Sequence, residues 1–175
     1  MFNIAVIIPE DKFRDEELYV PVAAWHRAGI ATKLFSTVLI EVTGDLGGKA
    51  APEALLSQLN VDEFDGVAVI GGSGTPLHLW NNVELAAILQ SFNRKNKLVT
   101  AICAGTVTLA IAGLLKGKLA TTYPADMMIK ELQKYGARYT PDHAVTVGNI
   151  VTGDGPMGAV EYADAVIEGL TAHTQ

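Results

Sequence analysis

A single cysteine in 175 residues excludes a disulfide framework, and with it any zinc or iron–sulfur centre built on several thiolates. The lone thiol, Cys103, points to a reducing compartment or to a group kept for its reactivity. Positive charge is also scarce. Thirteen Lys and Arg stand against 19 Asp and Glu, so the formal net charge is −6 and the pI lies near 5.1. A surface of that sign does not seek nucleic acid, and no nucleic-acid partner is expected. The opening residues Met1 to Pro9 carry no basic segment, and their apolar run is too short for a secretory signal, which leads to the expectation of a cytoplasmic protein. One uncharged stretch, Leu98 to Leu115 between Lys97 and Lys116, approaches the ~18-residue length of a membrane span. It changes character midway, from the β-like Leu98–Ile102 to a buried-helix pattern over Ala104 to Ala112, so no membrane association is expected. No metal site is spelled out, and no cofactor is expected.

At 49% apolar and 18% charged the chain can close a substantial core, and one domain over residues 1–175 is the default. Phe2 to Ile8, Gly66 to Ile70 and Leu98 to Ile102 read as buried strands, the first of them buried on both faces, and Ala31 to Ser36 as a further strand. Helical patterns cover Asp15 to Ala28, stopped by Gly29 and expected to kink at Pro21, then Asn81 or Asn82 to Asn93, and Ala104 to a stop at Gly113. Two more run from Ala125 to Tyr135 and from Gly158 to Ala172. Val38 to Val42 and the Gly44/Gly47/Gly48 cluster suggest a small hairpin, followed by a polar segment through Asp65. Short strands are expected at Leu119 to Thr122 and near Val145 and Ile150. Strands alternating with helices mean a three-layer α/β/α sandwich around a mainly parallel, flavodoxin-like sheet.

In such sheets ligands bind at the carboxyl ends of the strands, near a topological switch. Cys103 falls at such an end, within Ala101-Ile102-Cys103-Ala104-Gly105. This small-x-nucleophile-x-Gly turn has the form of a nucleophile elbow with Cys in place of Ser. The following helix points free N–H groups toward the sulfur, which favours a thiolate. A free cysteine is otherwise a small buried hydrophobe, but its place at a strand–helix junction argues for reactivity. Gly71-Gly72 ends the neighbouring strand and can supply backbone donors to the same crevice. A dinucleotide fingerprint is the rival reading of this glycine loop. Gly72-Ser73-Gly74-Thr75-Pro76-Leu77 lacks its third glycine and has proline where the helix should start. Asp15-Glu16-Glu17 opens the first helix at the same sheet edge. Such a cluster by itself is an ordinary solvated first turn.

Four segments together resemble the ThiJ/PfpI superfamily of intracellular-protease-I-like proteins, deglycases, glyoxalase III enzymes and redox-responsive chaperones, whose fold is also that of the class I glutamine amidotransferases. They are Phe13-Arg14-Asp15-Glu16-Glu17 with Pro21, Val69-Ile70-Gly71-Gly72, Ala101-Ile102-Cys103-Ala104-Gly105, and Gly117-Lys118-Leu119-Ala120-Thr121-Thr122-Tyr123-Pro124. The resemblance implies that Glu17, four residues before the helical proline, is the family's acid, protonated and donating to the Cys103 sulfur. It places the oxyanion donors on backbone N–H groups of Gly71 or Gly72 and of Ala104. Two departures weaken the peptidase expectation. Ala104 stands where protease-like members carry His after the nucleophile, and Tyr123 where deglycase-like members carry a His. The C-terminal H-x-E of glutamine amidotransferases is also missing.

Tyr123 is expected to orient substrate or to pack its ring, and His78, in the loop beyond Gly74, is the nearest replacement base. His26, His143 and His173 are expected to be structural or solvated, and Trp25 and Trp80 to pack or to sit at an interface. The first functional expectation is a cysteine-dependent enzyme of glyoxalase III, deglycase or amidase type. It would act on a small carbonyl or amide substrate through Cys103 and Glu17. The second is a redox-sensing stress protein or chaperone that uses oxidation of Cys103. An intracellular peptidase is the third. The resemblance also implies a homodimer or homohexamer.

Overall fold

Strand β1 (Asn3–Ile7) lies between two parallel neighbours and is buried from its second residue onward, which explains a continuous apolar run where alternation would mark a half-exposed strand. The structure, a computed structural model, describes residues 1–172; His173 lies outside the described residues. After β1 come helix α1 (Asp15–Arg27), strand β2 (Ala31–Ser36) and a hairpin of β3 (Val42–Thr43) with β4 (Lys49–Ala50). Helix α1 is continuous through Pro21, whose missing N–H leaves the Glu17 carbonyl without its helical donor. The hairpin begins four residues later than expected. Val38 to Glu41 are not strand, because the antiparallel register runs Val42 to Ala50 and Thr43 to Lys49.

The segment expected to be merely polar contains an edge strand, β5 (Ala54–Leu55), and two single 3₁₀ turns before β6 (Gly66–Val69). The glycine loop then winds into one short helix, α2 (Thr75–His78), so His78 sits on a helical turn. Helix α3 (Val83–Arg94) is capped by the Asn82 side chain, which accepts from the Leu85 N–H at 2.9 Å. Strand β7 (Leu98–Ile102) and helix α4 (Gly105–Ile111) divide the uncharged stretch as its composition indicates. No helix among the described residues is long and apolar enough to cross a membrane. The chain finishes with β8 (Leu119–Ala120), α5 (Asp126–Lys134), β9 (Arg138–Tyr139), β10 (Ala144–Val147), β11 (Ile150–Gly153) and α6 (Ala159–Ala172). Strand β8 is shorter than expected and pairs with β9 outside the main sheet.

The main sheet has the order β10-β11-β7-β6-β1-β2-β5, all parallel except β10. Alternate residues of each strand feed two cores. Ile4, Val6, Ala68, Ile70, Leu98 and Val151 meet Leu18 and Trp25 of α1 and Tyr162 and Val166 of α6. Ala5, Ile7, Val67, Val69 and Val99 meet Leu89 and Phe92 of α3, Leu109 of α4 and Leu132 of α5. This is the three-layer α/β/α sandwich. Trp25 closes its layer, donating from Nε1 to the Ala163 carbonyl at 3.2 Å. The chain leaves β1 toward β2 on one side and returns as β6 on the other, so the topological switch falls beside β1.

Candidate active site

The carboxyl ends of β6, β7 and β11 and the start of α1 meet at one edge of the sheet. Cys103 occupies the turn between β7 and α4 with φ +58°, the left-handed region, which costs a non-glycine residue about 1–3 kcal/mol and persists only where its surroundings hold it. Three distant segments do so. The Cys103 N–H donates to the Gly153 carbonyl at 2.9 Å, Thr122 Oγ1 donates to the Cys103 carbonyl at 2.7 Å, and Trp80 Nε1 donates to the Ala104 carbonyl at 2.8 Å. Gly105 completes the elbow, since a Cβ there would lie 2.4 Å from the Val69 carbonyl oxygen.

Glu17 arrives from the first turn of α1, whose entry is tied to the β6 loop by the Arg14 N–H donating to the Gly71 carbonyl at 2.9 Å. Its side chain is completely buried, and neither carboxyl oxygen has a hydrogen-bond partner of normal geometry. Gly71 lets it share a site with the nucleophile. A Cβ at Gly71 would stand 2.5 Å from Glu17 Oε1 and 2.7 Å from Cys103 Cβ. Burial pushes the Glu17 pKa up to about 8, against the smaller opposing pull of the Cys103 thiol, the Arg14 charge and the Gly71 amide. The acid is therefore neutral at pH 7, in the expected direction. The anticipated O–H to sulfur bond does not close with normal geometry, although each group shifts the titration of the other.

The thiol departs from expectation. Cys103 is 6% exposed; burial first, and then the Glu17 carboxylate, hold its pKa well above that of an ordinary cysteine, while the N–H groups of Ala104 and Gly72 pull it down. The strand–helix turn supplies donors as the sequence indicates, but removal from water outweighs them. Below about pH 8 Glu17 is neutral and its charge no longer opposes ionisation, which leaves burial acting against the two amides. The candidate oxyanion donors also divide. The Gly72 and Ala104 N–H groups lower the pKa of the thiol, whereas the Gly71 N–H lowers that of Glu17.

Cys103 and Glu17 lie in a cavity of about 250 Å³. Tyr123, Met128 and Pro156 form its apolar wall, and Arg14, Asp45 and Ser73 its polar rim. Tyr123 thus stands where it can contact a ligand. His78 does not reach the cavity: its Nδ1 lies 3.4 Å from Glu10 Oε1. His26 Nε2 sits 2.8 Å from Thr32 Oγ1, and His143 Nδ1 sits 2.7 Å from Asp154 Oδ2. Among the described residues no cluster of three His, Cys, Asp or Glu is placed to hold a metal ion. Sequence reading missed the rim, because Arg14, Asp45 and Ser73 come from three separate segments with no common spacing, and Asp45 lies in no motif.

The profile of the DJ-1/PfpI family matches residues 3–169. The chain belongs to the DJ-1/PfpI family. It is 42% identical over 172 residues to an uncharacterized protein of Methanocaldococcus jannaschii, covering 98% of this chain and 83% of that one. It is 29% identical over 149 residues to a protein of Pyrococcus abyssi named as a deglycase, covering 84% of this chain and 87% of that one. A crystal structure of a ThiJ/PfpI domain protein from Brachyspira murdochii superposes with a TM-score of 0.93 at 30% identity, over 97% of this chain and 96% of that one. The resemblance read from four sequence segments therefore extends through the whole DJ-1/PfpI fold.

Proposed function

We propose that this DJ-1/PfpI protein is a cysteine-dependent enzyme acting on small electrophilic carbonyl compounds, with α-oxoaldehydes or their adducts as the substrate class. The observation that carries the reading is the juxtaposition of Cys103, on a left-handed elbow, with a buried and neutral Glu17 at the floor of one small cavity. A volume of about 250 Å³ suits a small molecule better than a polypeptide segment. The deglycase name of the Pyrococcus abyssi relative is consistent with this class.

The reactive form is the singly protonated Cys103–Glu17 pair with the proton on Glu17, a thiolate beside a neutral carboxyl. The sulfur adds to the aldehyde carbon and the carbonyl π pair moves to oxygen. That oxygen is held by the Gly72 and Ala104 N–H groups and takes the Glu17 proton. The Glu17 carboxylate then removes the C–H proton of the hemithioacetal and returns it to the adjacent carbon, while the hemithioacetal O–H proton passes to the neighbouring carbonyl oxygen. The aldehyde carbon thereby rises to the thioester level while its neighbour falls to an alcohol, and the two changes cancel within the substrate. Water cleaves the thioester, releasing a 2-hydroxy acid and the thiol. Tyr123 orients the substrate from the apolar wall.

Methylglyoxal consumption by the wild type and by Cys103→Ser tests the assignment. Turnover is expected in the wild type alone, rising with pH toward about 8, where the pair sheds its first proton. Equal consumption by the two proteins, or none by either, overturns it.

A further inference from the structure

From the charged rim of the cavity we infer that Asp45 determines specificity, admitting neutral electrophiles to Cys103 and repelling carboxylates. The inference rests on the reading of Cys103 as the nucleophile.

One cation, Arg14, stands against two anions, Asp45 on the rim and Glu16 just behind Arg14. Arg14 is committed to Glu16, with Nε at 2.6 Å from one carboxyl oxygen and Nη2 at 3.2 Å from the other. This two-point bridge offsets most of the guanidinium charge before a ligand arrives. Asp45 makes no such bridge, and the Arg14 charge reaches it only through space. It lines the cavity from the β3–β4 hairpin, and its carboxylate is held by the Ser73 N–H at 3.0 Å and by the Ser73 hydroxyl. The Asp45 N–H donates to the Phe13 carbonyl at 2.8 Å, so backbone and side chain are both fixed and the charge cannot swing away. Ser73 is also a cavity residue, and neither of its groups brings positive charge. Glu17, at the floor, is neutral at pH 7 and offers an anionic substrate no attraction. A carboxylate entering this space meets a net negative mouth and then, in the reactive form, a thiolate beneath it. With low-dielectric walls on one side, a residual unit charge within several ångströms alters the local concentration of an ion by about tenfold.

The test uses Cys103 as its own probe, because it is the only cysteine and a mass gain reports on it alone. Alkylation rates with neutral iodoacetamide and anionic iodoacetate are measured at pH 7, and their ratio is divided by that for N-acetylcysteinamide. The normalised ratio is expected to be about ten in the wild type and to fall most of the way to one in Asp45→Asn, an isosteric change that retains an acceptor for Ser73. Asp62→Asn removes the same charge from the turn before β6, at the opposite end of the sheet, and is expected to leave the ratio alone. In the wild type itself, raising salt from about 10 mM to about 1 M shortens the screening length from about 30 Å to about 3 Å and should collapse the ratio without any substitution. A wild-type ratio near one, or a ratio indifferent to both Asp45→Asn and salt, overturns this inference while methylglyoxal consumption can still stand. Failure of both reagents to modify the folded protein overturns it together with the nucleophile assignment.

Discussion

Asp15 and Glu17 are two buried carboxyls in one turn of α1, and they are treated in opposite ways. Asp15, 7% exposed, accepts from the Leu46 N–H at 2.9 Å and the Gly48 N–H at 2.7 Å, one donor to each oxygen. It fastens the β3–β4 hairpin to the helix. Glu17, completely buried, is given no donor of normal geometry and responds by keeping its proton. Glu16, between them, points outward and pairs with Arg14, which lowers its pKa. Supplying donors to a carboxyl makes it a structural anion, whereas withholding them makes it a proton store beside the sulfur. An acidic first turn is therefore not one feature here but three, separated by which way each side chain faces.

The sharpest way to break this contrast is Glu17→Gln, which preserves volume and removes the exchangeable proton. Methylglyoxal turnover is expected to fall about 10²–10⁴-fold, as for loss of a positioned acid–base. The same substitution should stabilise the fold at neutral pH. Between the ordinary glutamate value of 4.5 and about 8 the folded wild type holds a proton that the unfolded chain has released, so wild-type stability declines as pH rises through that window. At pH 7 the gap corresponds to about 3 kcal/mol in favour of Glu17→Gln, and it closes toward pH 4.5. Urea midpoints measured across this range read it directly; a constant difference would mean that Glu17 is ionised in the fold.

Asp15→Ala should do the reverse. Stripping two backbone donors of a charged acceptor is expected to cost about 2 kcal/mol, lowering the thermal midpoint by about 4–8 °C, while the folded variant retains Cys103-dependent turnover. Loss of turnover as complete as in Glu17→Gln, with the fold intact, would erase the distinction between the two acids. Glu16→Gln gives the smallest effect. Arg14 and Glu16 are each about a third exposed, and removing their bridge should cost about 0.5 kcal/mol in urea denaturation, less at high salt.

Legibility in the sequence followed the length of the physical signal. Leu98–Ile102 and Ala31–Ser36 were read to the residue because an apolar run between a lysine and a turn, or a strand that starts just past a helix-ending glycine, leaves little choice of register. Strands β5 and β9 hold two residues each and have no period to detect, and the hairpin slipped to Val42 because antiparallel pairing around Gly44 to Gly48, rather than apolar content, sets it. The elbow at Cys103 was legible from its small residues, since close approach to Val69 is a local demand. Its ionisation was not. That quantity depends on how much water the cavity admits and on a carboxyl 86 positions away in the chain, neither of which local spacing encodes. The rim formed by Arg14, Asp45 and Ser73 was hidden for the same reason.

The hydrogen bonds that hold Cys103 and Ala104 reach back to Trp80 and forward to Thr122 and Gly153. Nothing nearby in sequence can impose the left-handed turn, so an incompletely assembled chain presents an unremarkable, freely accessible thiol. The nucleophile acquires its distinctive surroundings only at the close of folding, and a nascent or unfolding molecule announces itself by the reactivity of the same atom.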